Sequence, residues 1–337
     1  MLYITTRNNR DVYTAYKALH EDTAPDGGRY VPFRLPLFEQ EQLVLLKEKS
    51  FGQNVADVLN IFFSTSRITG WDVELCIGRN ATKLVSMNHR IMIAEMWHNP
   101  TSCFDYAINS LYKAICKNNE LTKASEWFII AVQIAVYFGL YGELCKQKII
   151  EEGTAIDVSV PLDNYAAPIA ALYARKMGLP IKTIICTCEN SVAWDLIQRG
   201  AVNTVGLDCK ILHWIERLLQ ETLGFSYVQK LLDDVKEGKQ YVLHELDLNT
   251  LNTGLFCVVV GESRSDQTIN SVYRSNSYIL DPDTAFCIGG LQDYRAKTRC
   301  SRPTIVFSYV SPLEHIQKIE TATGVSKDHL IGLISKS

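Results

Sequence analysis

The chain lacks most of the short signatures that announce a chemistry. It has no G-x-x-x-x-G-K-[ST] phosphate loop, no G-x-G-x-x-G turn and no Ser/His/Asp order. Its seven histidines are dispersed without an H-x-x-x-H pair, and its ten cysteines show no C-x-x-C spacing. Spacing therefore proposes no metal site. Cys186 and Cys188, two apart on an expected strand, read as buried small hydrophobes. Positive charge is not in excess. The formal net charge is −3 and no basic cluster stands out, which argues against nucleic acid as a partner. The N-terminal stretch has no signal-peptide apolar region, which with unpaired thiols leads us to expect a cytoplasmic protein. The longest apolar stretch, Trp127 to Tyr141, is short for a membrane span and carries Gln133 near its middle. It reads as a buried helix, with no membrane partner.

What is present suits a large soluble core. The 337 residues are 47% hydrophobic, enough for two domains or one large one. Residues 1–85 read as a small, mostly helical unit. They hold amphipathic helices over Phe38–Lys49 and Asn54–Phe63, and a third over Asp72–Leu84. Residues 86–337 alternate strand and helix patterns, as in an α/β domain with a parallel sheet. In such domains ligands sit at turns after the carboxyl ends of strands. Glu95 to Tyr106 is such a turn. It follows the apolar run Arg90–Ala94, precedes a helical pattern over Ala107–Lys117, and carries Asn99-Pro100-Thr101 as turn chemistry.

That turn resembles the H-G-P-T-x-A-F-K-D segment of threonine synthases through His98, Pro100, Thr101 and Phe104. Further resemblances follow in family order. Thr5-Thr6-Arg7 resembles S-T-R, and Ala24 to Pro32 resembles L-x-P-D-G-G-L-Y-V-P, with Arg29 at an apolar position. Trp127, Ile130, Gln133, Ile134, Tyr137 and Phe138 match N-W-A-R-I-L-x-Q-I-x-Y-Y-F, with Glu126 for its asparagine and Ile129 for its arginine. Met177 to Ile181, Glu216 to Leu219 and Tyr278 to Ala285 resemble M-G-L-P-I, E-R-L-L and Y-L-L-D-P-H-T-A. The resemblance implies the α/β, tryptophan synthase β-like fold of type II pyridoxal-phosphate enzymes. It implies a small N-terminal domain and a parallel-sheet large domain, without the smaller domain that covers the cofactor. The stretch between the turn's helix and Trp127 is too short to hold that domain.

Set against the family, the site residues are degenerate. Asp105 stands where the resemblance places the aldimine lysine, and a carboxylate cannot form an imine. A capping or solvated aspartate in a first helical turn is the plainer role. His98 reads as a hydrogen-bonded structural histidine, beside Asn99 and Thr101. The former phosphate loop is Asp163-Asn164-Tyr165-Ala166, without its glycines. Asp163 is expected to cap the following helix in place of a phosphate. Tyr309 occupies the position of the pyridine-nitrogen partner and is expected to fill the cofactor ring's space. Asp283 and Glu314 replace basic family residues. With Asp105 and Asp163 they form either an acidic cluster suited to an amine or independent surface acids.

Three functions are consistent with this pattern. The first is a non-catalytic relative with a binding or interaction role and no pyridoxal phosphate. The second is a diverged pyridoxal-phosphate lyase or transferase using a replacement lysine or a partner chain. The third is an amino-acid or small-molecule sensor. A homo-oligomer or a protein partner is expected over the face left by the missing domain.

Overall fold

The computed structural model describes residues 1–64, 67–78, 83–88, 90–118, 120, 123–189 and 192–335. Eleven strands occur among them. β1 (Leu2–Thr5), β2 (Tyr13–Thr14) and β3 (Tyr30–Pro32) form a small antiparallel sheet in the order β2-β1-β3. β4 (Lys83–Asn88), β5 (Ile91–Glu95), β6 (Ile156–Pro161), β7 (Ile181–Cys188), β10 (Leu255–Val259) and β11 (Thr304–Ser308) form the main sheet. β8 (Ala201–Asn203) and β9 (Gln240–Val242) pair separately. The main order is β10-β7-β6-β11-β5-β4, parallel except for β4, which runs antiparallel at the edge.

Burial on both faces explains the near-continuous apolar runs of the central strands. Every residue of β5 and β11 is buried. Alternate side chains feed different cores. Met92 and Ala94 of β5 join the core on the N-terminal unit's side, while Ile91 and Ile93 join the second. The helices Pro282–Thr298 and Ile316–Thr323 pack on that second side.

The apolar stretch around Gln133 is the helix Glu126–Lys146, started by Ser125, whose hydroxyl accepts from the Phe128 N–H. It is long and apolar enough to cross a membrane by composition, but 89% of its apolar window is buried inside the fold. The helix Phe51–Phe62 lies against it at very short range. A Cβ at Gly139 would meet the Phe51 ring at 2.6 Å, and one at Gly142 the Leu46 carbonyl at 2.7 Å. A side chain at either position would have to displace the Phe51 ring or the backbone at Leu46, so glycine is favoured at both.

Two resembling motifs distant in sequence meet here. Arg7 grips buried Glu216 through Nε (3.0 Å) and Nη2 (2.8 Å), and the Thr6 hydroxyl donates to the same carboxylate at 3.0 Å. The first 85 residues differ from expectation in two ways. They include the three-stranded sheet, and the helix expected over Asp72–Leu84 is confined to Gly70–Ile77. Gly78, with φ 101°, ends it, and β4 then joins the main sheet across the expected boundary at residue 85. Helix resumes at Glu126.

Candidate functional site: an acidic cleft at the carboxyl ends of the strands

The turn after β5 is held from within. Buried Glu95 accepts from Tyr278 Oη at 2.5 Å, pairs with His98 Nε2 at 2.5 Å and has Lys83 Nζ at 3.5 Å. Burial alone would raise the Glu95 pKa, but the His98 and Tyr278 hydrogen bonds and the Lys83 charge outweigh it and hold the carboxyl below its usual range. The His98 ring also stacks on Trp97, 3.9 Å between centroids. Asn99 closes the turn by donating to the Met96 carbonyl at 2.9 Å and accepting from the Thr101 N–H at 2.9 Å. His98, Asn99 and Thr101 thus build the turn and do not line the cleft that it borders.

The turn delivers Phe104 and Asp105 to the start of the helix Phe104–Cys116. The Phe104 N–H donates to the Tyr309 carbonyl at 2.9 Å, and the two rings stack at 5.7 Å. Tyr309 also stacks on Phe307 at 5.6 Å and is buried. It lines the floor of the cleft with aromatic surface.

Above this floor a cleft of about 710 Å³ opens where β11 separates β5 from β6. The structure brings Asp105, Asp163, Asn164, Tyr165, Ala166, Asp283 and Tyr309 together in its walls. The three acids face cleft solvent, yet the surrounding protein desolvates them enough to raise each pKa. Beyond burial, Asp163 is raised by Asp283 and Glu189, and Asp283 by Asp281 against the opposing charges of His315 and Lys318. Asp163 therefore senses Asp283, while Asp105 shares the cleft wall with them and is raised by burial alone.

Two expectations do not hold. Asp163 does not cap the helix Ala166–Lys176: no side chain caps that helix, and the Ala167 N–H instead donates to the Asn164 carbonyl at 3.0 Å. An α-region Tyr165 at the cap position turns the start of the helix away from Asp163. Glu314 is not in the cluster. It lies exposed on the short turn Pro312–His315, outside the cleft lining. Its place as a fourth wall acid is taken by Glu189, just after β7. Position at a strand's carboxyl end was the signal for it. Its neighbours Asn190 and Ser191 lie outside the described residues. Cys188, also in the wall, is a buried thiol pushed up to about 12 by burial first and then by Asp163, so it is no nucleophile at neutral pH.

Lys123 and Lys210, which sequence reasoning missed, also line the cleft; both are exposed. They separate it from a second cavity of about 270 Å³ that contains Arg29, Glu126, His213 and Trp214. Arg29 Nε lies 3.3 Å from Glu126 Oε2, and Arg217 Nε donates to Glu126 Oε1 at 3.0 Å. Among the described residues no group of three His, Cys, Asp or Glu side chains could hold a metal.

Comparison with known proteins places this geometry. Over 99% of the chain and 94% of its counterpart, the structure superposes on pyridoxal phosphate-bound threonine synthase from Brucella melitensis, with a TM-score of 0.78 at 20% identity. The architecture is therefore the threonine synthase fold. Residues 2–80 match the family model of the threonine synthase N terminus. Beyond that segment, the chain is similar in sequence to threonine synthase-like proteins. It is 26% identical over 172 residues to threonine synthase-like 1 of Macaca fascicularis, covering 47% of this chain and 23% of that relative. The chain thus spans under a quarter of that protein's length. It is 25% identical to threonine synthase-like 2 of Xenopus laevis, covering 86% of this chain and 83% of the relative. That alignment runs over 396 residues, longer than the chain itself, so the relative carries residues without a counterpart here.

Proposed function

We propose that the chain is a non-catalytic threonine synthase-like protein that uses the acidic cleft to bind a small, amine-bearing ligand or a partner. The observation that carries this reading is Asp105 in the cleft wall together with Asp163 and Asp283. Pyridoxal phosphate is dianionic at its phosphate and needs an amine for its aldimine. The cleft offers desolvated acids at the corresponding positions and a buried Tyr309 stack on its floor. This donor set does not fit the cofactor. A covering domain is missing in this reading, and Tyr106, 64% exposed beside Asp105, supports a second copy or a partner protein on that face. Ten free cysteines support a cytoplasmic location.

Absorption spectroscopy with added pyridoxal phosphate tests the reading. The expected protein is colourless and gains no visible band. A band abolished by borohydride would establish the diverged-enzyme reading instead, and Lys123 and Lys210 at the cleft are the residues such a reading would use. A thermal-shift series with amino acids and simple amines then separates a ligand sensor from a pure interaction protein, since a bound ligand raises the melting temperature.

A further inference from the structure

The acids of the cleft fall into two sets on opposite sides of β11. Asp163 and Glu189 follow β6 and β7, and Asp163 is raised by burial and then by Asp283 and Glu189. Asp105 follows β5, and burial alone raises it, so none of those three acids acts on it. With β11 between them, the ends of β5 and β6 stand roughly 9.5 Å apart, at about 4.7–4.9 Å per strand. That spread does not suit a bare metal ion, and among the described residues no three His, Cys, Asp or Glu side chains converge to hold one. Between the two sets the floor carries Tyr309, directly after β11. It is nine-tenths buried, yet its Oη is not sealed from solvent and has no hydrogen-bond partner among the described residues. Burial first, then Tyr137, Cys287 and Asp105, keep the phenol protonated, so its oxygen lone pairs are open to a donor in the cleft. Ile108, Phe286 and Val310 add apolar surface to the same walls. Lys123 and Lys210 stand where the cleft meets the second cavity and offset none of the three raised acids; only His315 and Lys318 oppose one of them, Asp283.

We propose that the cleft takes an extended organic dication, an aliphatic diamine or longer polyamine, with one ammonium at Asp105 and the Tyr309 hydroxyl and the other among Asp163, Asp283 and Glu189. This rests on the amine-binding reading above and narrows it. An ammonium has three donors and no acceptor, so at the Asp105 end it can pair with the carboxylate and still donate to the neutral phenol oxygen. The methylene chain of such a ligand gains from the apolar wall, which offers nothing to a compact inorganic dication. A monoamine answers one set of acids and leaves the other uncompensated.

Isothermal titration calorimetry on the full chain tests this with putrescine, cadaverine and butylamine, and with magnesium chloride as an inorganic dication, all at neutral pH and matched ionic strength. The diamines are expected to bind about tenfold or more tightly than butylamine or magnesium, the gain of one further charge-assisted pair. Asp105→Asn at one end and Asp163→Asn at the other, each checked for folding by its melting temperature, should remove that preference. Tyr309→Phe, which keeps the ring and loses the hydroxyl, should weaken the diamines severalfold. A preference that survives both aspartate changes, a diamine affinity unchanged in Tyr309→Phe, or a magnesium response equal to that of the diamines overturns the proposal. Equal affinity for butylamine and the diamines overturns it while leaving the amine-binding reading in place; no binding by any amine overturns both.

Discussion

Arg29 and Glu126 stand 3.3 Å apart, and each departs from the threonine synthase pattern at its own motif. One replaces an apolar residue and the other an asparagine, ninety-seven positions apart in the chain. The two departures answer each other. Arg29 without Glu126 would bring an uncompensated cation beside Arg217, which is itself buried. A double-mutant cycle with Arg29→Leu and Glu126→Asn should give a coupling of about 0.5–3 kcal/mol, measured by urea denaturation. Additive losses would mean that the pair is coincidental.

Tyr309 is expected to be structural. Tyr309→Ala removes the ring that stacks on both Phe104 and Phe307, and should cost about 3–5 kcal/mol, as for other large aromatic truncations. Tyr309→Phe keeps the ring and should lie within about 1.5 kcal/mol of the parent. The Asp105→Lys change should not by itself produce a cofactor band, because Asp163, Asp283 and the Tyr309 stack remain.

The three cleft acids make stability fall as pH rises. Their folded-state pKa values are raised, so the folded chain holds more protons than the unfolded chain just above the ordinary carboxylate range. Ionising them in the folded state is the unfavourable step, and its penalty is complete once pH exceeds the raised values. Asp105→Asn, Asp163→Asn and Asp283→Asn combined should therefore raise the melting temperature at neutral pH, with the gain vanishing at the acid end of the carboxylate range. Differential scanning calorimetry across pH reads this directly; an equal gain at every pH would contradict it.

Glu95 behaves in the opposite sense. Its folded pKa is lowered, so its contribution is present above the ordinary carboxylate range and is lost as pH falls through the folded value. Glu95→Gln should cost about 1–3 kcal/mol at neutral pH through weakened bonds to His98 and Tyr278. The loss should shrink in acid, which chemical denaturation at two pH values can measure.

Much of this was legible in sequence because the relevant patterns are local. The strand periods, the Asn99 turn and the glycine at 178 depend on neighbouring residues. The positions of Asp105 and Tyr309 came from motifs that keep their order. The missed features depend on three-dimensional placement. β4 lies at a sheet edge with its side chains half-buried or exposed, so it carried no apolar run, and its first two residues were read as the end of a helix. The helix Pro282–Thr298 has apolar residues on most sides, which erased the helical period; only its Asp281 cap and Pro282 at the first turn marked its start. Asp163 looked like a cap because an acid before a helix usually is one, and a single α-region residue defeated that. Trp214 and Lys123 share a cavity across ninety residues, which no local pattern encodes.

The close approach at Gly139 and Gly142 has a consequence for biosynthesis. Phe51–Phe62 is synthesised well before Glu126–Lys146, so its docking surface is already present when the apolar helix leaves the ribosome. Without it, the chain would display a 21-residue segment that insertion machinery reads as a membrane span. The N-terminal unit thus covers a helix that is apolar on most of its faces. Bulk at either glycine would force apart the helix and the segment that covers it, and so expose apolar surface far from the cleft.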